Sequence, residues 1–457
     1  MSQKQRVALI SPGTEQVFAV HEPINLGFLA SYLEKTGYEV KIIDQLGGQN
    51  VEEELFKFNP DLAGITATTP VIYEAYKVAQ LAKKMGILTV MGGIHATMFP
   101  QEALKYADIV VKGEGEKALV EILTKNIKNG IITGAAITKL DDIPPPARHL
   151  MLMKERYLYC KKRVPYIGHL PRVPANKRII HMITSRGCPH ARCIYCHNST
   201  KNIPYRSNSP ERVIEEIKLL KKQFDVEVIY FMEDNFFAEK NRVMKICELM
   251  IQNKLDYIDW GGTIRVEQVD EEMLSASKKA GAKWVGIGFE SGSQRILDIL
   301  SKGIKIEQSA RAVEIVRKVG LLPHGNAMIG NPTETLEDVE MTRNFLFKNK
   351  VVLPEIYIYT PYPGTKAWEM AVENKLVPAM DKIDWRIFTQ ERIVMNLSAM
   401  TKEQIEKGRA RLLLQYYLSH PIETFNILKW ILLFPIAPLT KAIKIVSPLF
   451  RLKRKEA

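Results

Sequence analysis

"RGCPHARCIYCHNS", residues 186–199, gathers three of the chain's five cysteines within nine positions. Cys160 and Cys247 stand alone. The trio is spaced Cys188-x4-Cys193-x2-Cys196 and follows "RIIHMITS", a run that reads as a strand. Thiols this close together can share a metal. A structural zinc ion would need a fourth ligand, and His190 and His197 are at hand. A redox pair would use Cys193 and Cys196 alone. An iron–sulfur cluster would take all three thiolates and leave one iron open. Spacing alone does not choose, so the flanking pattern has to.

Outward from the cysteines, residues 178–365 run as strand–helix units. The strands read "RIIHMITS", "EVIYFMED", "IDWGGTIRV", "KWVGIGFES", "LLPHGNAMIG" and "EIYIYTP", with helical stretches such as "SPERVIEEIKLLKKQF" between them. That stretch has Ser209 placed as N-cap and Pro210 at the first helical position. Six such units predict a partial (β/α)6 barrel, with chemistry at the strand C-terminal ends. The cysteine loop follows the first strand and so lies on that face.

Residues 5–130 alternate in the same way: "RVALISP", "EVKIID", "LAGITATT", "LTVMGGIH" and "DIVVKGEGE" are strands, with helical patterns between. Apolar strands with helical crossovers predict a doubly wound parallel sheet of the Rossmann-like kind. Its ligands bind outside the strand carboxyl ends, where the loops "ATTP", "GGIHAT" and "GEGE" fall. The three consecutive prolines of "DDIPPPARHL" mark a linker. The organisation expected is therefore α/β: a first domain over 1–135, a linker over 136–177, a barrel over 178–365 and a mostly helical region over 366–457.

The totals agree. A chain of 457 residues exceeds one ordinary domain, and 46% hydrophobic content supports a large core. The N-terminal "MSQKQRVALI" has no signal-peptide pattern, and an odd, scattered set of cysteines is no disulfide framework, so a cytoplasmic setting is expected. The net charge is +13, of which residues 401–457 supply +7 through 11 basic and 4 acidic side chains. No basic stripe interleaved with aromatics argues for nucleic acid. The uncharged run Trp430–Thr440 has 11 residues and two prolines, too few for the ~20 a membrane span requires. Trp430 and Phe434 followed by Lys441, Lys444 and "RLKRK" fit an interfacial anchor on anionic lipid, and a helix packed on the barrel is the competing reading.

Over residues 178–365 the layout and the strand-end motifs resemble the radical S-adenosylmethionine (SAM) enzymes. "TSRGCPHARCIYCHNS" is similar to that family's cluster loop, which usually has three residues between the first two cysteines. Four stand here, so the loop has to bulge by one residue. The resemblance implies a 4Fe–4S cluster on Cys188, Cys193 and Cys196, with the backbone at Tyr195 approaching the adenine of SAM. In "FMEDNFF" it implies Glu233 and Asp234 for the methionine amino group, and at the third strand end Arg265 for its carboxylate. "GIGFESGSQRIL" would present Glu290 and Ser291 to ribose or the amino group. In "GNAMIGNPTET", Met328 to Gly330 would lie along the adenine. One electron from an external flavodoxin- or ferredoxin-type donor then cleaves SAM to a 5′-deoxyadenosyl radical.

The first domain resembles the cobalamin-binding half of cobalamin-dependent radical SAM enzymes. The DxHxxG motif that supplies a lower-ligand histidine is missing. The expected contacts are Thr66, Thr68, Thr69, Gly92, Gly93, His95, Gly113, Glu114 and Gly115, with His95 packing rather than ligating cobalt. A domain that has lost its corrinoid is the alternative. The resemblance implies C-methylation of an unactivated carbon on a hydrophobic small molecule, or an oxidative cyclisation. A non-catalytic corrinoid or zinc sensor is the reading from another class.

Overall fold

The computed structural model describes residues 4–13, 21–158, 173–174, 176–200, 203–421 and 424–425. Cys160 and the proposed anchor from Lys429 onward lie outside the described residues. The described chain divides into two compact units. One draws on Met1–Arg163, Arg206–Arg212 and Lys382–Thr389, the other on Val164–Tyr205, Val213–Asp381 and Gln390–Ala457.

In the first unit β1 (Arg6–Ser11), β2 (Glu39–Asp44), β3 (Leu62–Thr66), β4 (Leu88–Gly92), β5 (Ile109–Gly113) and β6 (Gly130–Gly134) form one sheet in the order β2-β1-β3-β4-β5-β6. All neighbours are parallel. Helices α1 (Ile24–Lys35), α2 (Val51–Phe58), α3 (Ile72–Lys84), α4 (Ile94–Met98), α5 (Pro100–Ala103) and α6 (Glu116–Thr124) make the crossovers. The order reverses at β1, which pairs with β2 on one side and β3 on the other. Val7 to Ile10 of β1 are fully buried, as a strand covered on both faces requires. Local chemistry sets the ends: Asn50 caps α2 by accepting from the amides of Glu52 and Glu53, and Asn59 closes it in the left-handed conformation.

One feature departs from expectation. β6, "GIITG", is a sixth strand that was not foreseen; it is short, glycine-bounded and largely unburied, so it has little apolar signature. The proline-rich stretch lies against the first unit's own helix. The Ala147 amide donates to the Gly27 carbonyl, and a side chain at Gly27 would strike Met151 and Pro146, so this segment packs on α1.

In the second unit β7 (Ile179–Met182), β10 (Val228–Phe231), β11 (Asp259–Ile264), β12 (Ala282–Glu290), β13 (Leu322–Ile329) and β14 (Val352–Ile358) lie side by side in chain order, every pair parallel. These are the six strands expected. Consecutive parallel strands joined by outer helices make a half-barrel. Two-residue strands β8 (Ser185–Arg186) and β9 (Arg206–Ser207) bracket the cysteine loop in sequence. The helices are α7 (Pro210–Phe224), α8 (Lys240–Gln252), α9 (Glu271–Lys279), α10 (Gln294–Ile299), α11 (Ile306–Lys318) and α12 (Leu336–Lys348). Thr335 and Asp338 form a capping box at the start of α12. Beyond the barrel, α13 (Lys366–Glu373) and α14 (Lys402–Ser419) are regular. Among the described residues no helix is long and apolar enough to cross a membrane.

Candidate active site

The cysteine loop leaves β7 at the C-terminal rim of the half-barrel. Gly187 turns it with φ 91°, and Ala191, inside the four-residue spacer, has φ 43°. Four successive residues after α10 grip the loop and its neighbour. The Leu300 carbonyl accepts from the Ile194 amide at 3.2 Å. Ser301 accepts from His190 Nε2 at 2.9 Å. Lys302 accepts from Arg265 Nη2 at 2.7 Å. Gly303, at φ 73°, leaves room for the His190 ring, which would stand 2.7 Å from a Cβ there. His190 is thereby committed to the protein.

The Arg265 guanidinium lies 3.9 Å from Cys193 Sγ and is bound by Glu267. Burial works against its charge, but Glu267 and the thiols of Cys193 and Cys188 outweigh it and raise the pKa. Cys196 Sγ accepts from the Asn198 amide at 3.5 Å. Burial pushes its thiol up to about 11, with Asp234, Cys193 and Cys188 adding to the effect. Among the described residues no three His, Cys, Asp or Glu side chains converge as ligands of a single ion would. A four-iron cluster makes a different demand, one thiolate per iron with the sulfurs apart. Three mutually coupled thiols on one loop, with a buried guanidinium beside them to offset thiolate charge, suit that donor set.

Glu233 and Asp234 separate. The Glu233 carboxylate accepts from the Thr184 amide and hydroxyl and from the Ser185 amide, bracing the exit from β7. Burial pushes its pKa up. Asp234 is exposed and acts electrostatically on Cys196. Glu290, at the end of β12, has φ 63°, an uncommon conformation for a residue with a side chain. It forms a buried ion pair of 2.7 Å with Lys302. Tyr195 faces it: burial first, and the Glu290 carboxylate next, raise the phenol well above its ordinary value. Ser291 turns away, bonding Thr342 and accepting from the Ser293 amide. Tyr195 and Met328 do meet, in an apolar cluster with Ile194, Ile296 and Tyr359. Gly330, at φ 89°, donates its amide to Glu334 at 2.6 Å.

Glu334 was not foreseen. It is fully buried and accepts from Gly330 and from both nitrogens of Asn331, so it shapes the whole loop after β13. Burial pushes its pKa up to about 7. Its only signal is a carboxylate inside "GNPTET". Lys302 and Tyr359 were also missed, since a lysine after a helix and a tyrosine after a strand look ordinary.

In the first unit the expected loops lie at the strand carboxyl ends. Thr66 closes β3 and accepts from Asn25 Nδ2 at 3.3 Å. Thr68 is exposed, and Thr69 is buried. Gly93, at φ 92°, has no room for a side chain, which would fall 2.6 Å from the Ala67 carbonyl. A side chain at Gly92 would meet nothing nearer than the Val111 carbonyl, 4.0 Å away. Gly113, also left-handed, donates to Thr97 Oγ1, and Gly115 lies against Leu29. This rim of bare backbone fits a large flat ligand. Glu114 is held by Arg206 and accepts from the Ile137 amide. His95 is buried, with Nδ1 3.3 Å from Thr69 Oγ1 and Nε2 3.8 Å from Glu102, its ring between Phe99 and Trp385. It packs inward against these partners.

Residues 182–346 match the model of the radical SAM superfamily, and residues 11–123 that of the B12 binding domain. An uncharacterized methyltransferase of Pyrococcus horikoshii is 35% identical over 446 residues, covering 90% of this chain and 92% of its own. The chain belongs to the B12-binding radical SAM enzymes. Another relative in this family is the anaerobic magnesium-protoporphyrin IX monomethyl ester cyclase of Rubrivivax gelatinosus, 30% identical, covering 78% of this chain and 68% of its own. The fold matches that of the cobalamin-dependent radical SAM enzyme OxsB, with a TM-score of 0.70 at 16% identity over 91% of this chain and 67% of that one. It also matches the radical SAM methyltransferase TsrM of Kitasatospora setae, with a TM-score of 0.65 at 18% identity over 85% of this chain and 83% of that one. This radical SAM enzyme therefore works with an iron–sulfur cluster, SAM and cobalamin, on a small molecule and with a supply of single electrons. That family assignment sets aside the zinc-sensor reading.

Proposed function

We propose that this radical SAM enzyme methylates an unactivated carbon of a small-molecule substrate. The observation that carries the reading is the pairing, in one chain, of a cysteine rim suited to a cluster with a sheet whose glycine loops suit a corrinoid. When bound, the cluster and SAM supply a 5′-deoxyadenosyl radical, and cobalamin supplies the methyl group. Cys188, Cys193 and Cys196 hold the cluster, and Arg265 offsets their charge. Asp234 is the carboxylate still available for the methionine ammonium, since Glu233 is engaged with the backbone. Tyr195, Met328 and Tyr359 wall the adenine, and the Glu290–Lys302 pair stands beside it for the ribose. Thr66, Thr68, Gly92, Gly93 and Gly113 present backbone and hydroxyls to the corrinoid.

The likeness to the Rubrivivax cyclase supports a second reading, oxidative ring closure. Product nucleosides separate the two. Anaerobic enzyme with reduced cobalamin, SAM and a strong one-electron reductant should form 5′-deoxyadenosine and, separately, S-adenosylhomocysteine matched by methylcobalamin. Deoxyadenosine without any homocysteine product would favour ring closure. Neither product would overturn the radical reading itself. We also infer peripheral contact of the basic C-terminal tail with anionic lipid, supported by its charge and apolar run.

A further inference from the structure

The loops after β3 and β4 hold each other. The Ala67 amide donates to the Gly92 carbonyl at 3.2 Å, and the Ala67 carbonyl accepts from the His95 amide at 3.4 Å. His95 Nδ1 stands 3.3 Å from Thr69 Oγ1. Thr66 and Thr68, on the first of these loops, are half-buried and exposed.

Support for this pair of loops comes from elsewhere in the chain. The segment Lys382–Thr389 groups with the first unit, although the residues on both sides of it group with the second. It contributes no strand to the first sheet, whose last strand ends at Gly134. It brings instead three buried apolar side chains, Ile383, Trp385 and Phe388. The Trp385 ring lies 5.0 Å from those of His95 and Phe99 and 5.1 Å from that of Phe388. The turn Trp385–Ile387 packs against the turn Thr69–Val71, which follows Thr68 directly. Tyr73, in the first turn of α3, pins the segment: its hydroxyl donates to the Ile383 carbonyl at 2.8 Å and accepts from the Trp385 amide at 3.5 Å. The Arg386 guanidinium stands 5.8 Å from the Tyr73 ring, and the Arg386 amide donates to Asp384 at 3.1 Å. On the far side of His95, Glu102 accepts from the Tyr76 hydroxyl at 2.9 Å. Burial would raise this carboxyl, but hydrogen bonds from His95, Tyr76 and Trp385 hold it below its ordinary value. The segment thus meets both the helical turn after β3 and the histidine after β4.

We propose that Trp385 is a positioning residue of the corrinoid site, and that the segment Lys382–Thr389 clamps the loops after β3 and β4 in the conformation that receives the corrinoid. Without the clamp the loops sample other conformations, and the measured affinity falls with the fraction that stays competent. Trp385 acts through His95 and the turn Thr69–Val71 and does not itself touch the ligand. This rests on the corrinoid reading of those loops.

The test uses the full chain with its cluster reconstituted. Equilibrium dialysis against hydroxocobalamin gives the affinity, and thermal unfolding without corrinoid gives the stability. If Trp385→Ala lowers the competent fraction to a tenth, cobalamin binding weakens about tenfold, measured well below the variant's own unfolding temperature. The 4Fe–4S signal should stay as in the wild type. Trp385→Phe, which keeps a ring over His95, should recover part of the affinity. Tyr73→Phe removes only the hydroxyl that pins the segment and should weaken binding several-fold. Trp385→Ala with wild-type affinity overturns the proposal, even where its melting temperature falls, because the segment then serves packing alone. So does a variant that loses cluster and corrinoid together. Should Trp385→Ala not fold, Tyr73→Phe decides by the same two readings. Failure of the underlying reading looks different: the wild-type chain itself would retain no cobalamin.

Discussion

His190 lies inside the cluster loop without being a ligand, and its replacement separates holding the loop from binding iron. His190→Ala removes the bond to the Ser301 carbonyl and empties the space over Gly303. Losing one bond to an exposed carbonyl costs about 0.5–1.5 kcal/mol, all of it borne by a loop already bent at Ala191. The expected outcome is a several-fold faster loss of iron to chelator, with a broadened paramagnetic signal. Arg192→Ala, at an exposed position two residues on, is the control and should leave both unchanged. The ligands themselves should behave as a set. Alanine at Cys188, Cys193 or Cys196 should abolish the 4Fe–4S signal after reconstitution. Alanine at Cys247 should spare it, because that thiol is buried, bonded to Ser277 and pushed up to about 11. His95→Ala tests the other unit. Cobalt coordination should stay base-off before and after the change, while stability falls, because the ring fills a pocket between Phe99 and Trp385. A spectrum that changes its axial ligation on His95→Ala would show that the ring does reach cobalt.

At the scale of elements, the loop after β13 is organised by Glu334, and its protonation should be visible in stability. Burial raises this carboxyl from 4.5 to about 7. The folded state thus holds the proton more tightly than the unfolded chain does. The stability this group contributes is full below about pH 4.5 and is lost as pH rises through about 7. Thermal unfolding from pH 5 to 8 should show the wild-type protein losing stability relative to Glu334→Gln, by a few kcal/mol at most. A constant difference across that range would refute the assignment. Elements were the most legible level of this chain. All six barrel strands and five of the six in the first sheet have apolar runs bounded by turn residues. Glu334 and β6 escaped for opposite reasons. Glu334 works only through backbone amides that a loop of unknown shape brings to it, and β6 has too few apolar residues to register a period. The fate of Glu233 was equally hidden. Two adjacent carboxylates at a strand end read alike, and only the fold decides that one meets the Thr184 and Ser185 amides while the other is exposed.

For the whole molecule, sequence order and spatial grouping diverge. The segment Lys382–Thr389 follows the barrel in the chain yet belongs to the first unit, where Trp385 covers His95 and the Ile383 carbonyl accepts from Tyr73. No periodicity announces such a return. Charge, by contrast, is additive and can be read without a fold, and this makes the tail testable. Within 421–457 stand Lys429, Lys441, Lys444, Arg451, Lys453, Arg454 and Lys455 against Glu423 and Glu456. Each basic residue near an anionic surface contributes about 1 kcal/mol. Burial of Trp430 and Phe434 adds a part that salt does not weaken. The full chain should therefore sediment with anionic vesicles at low salt and be partly released as ionic strength shortens the screening length toward about 8 Å. Vesicles of neutral lipid should retain only the weak apolar part. A chain ending at residue 420 should stay in the supernatant yet still form 5′-deoxyadenosine, because every residue assigned to the cluster and to SAM precedes it. If that shortened chain instead aggregates and fails to hold iron, the tail serves the packing of the protein, and the inference of lipid contact falls.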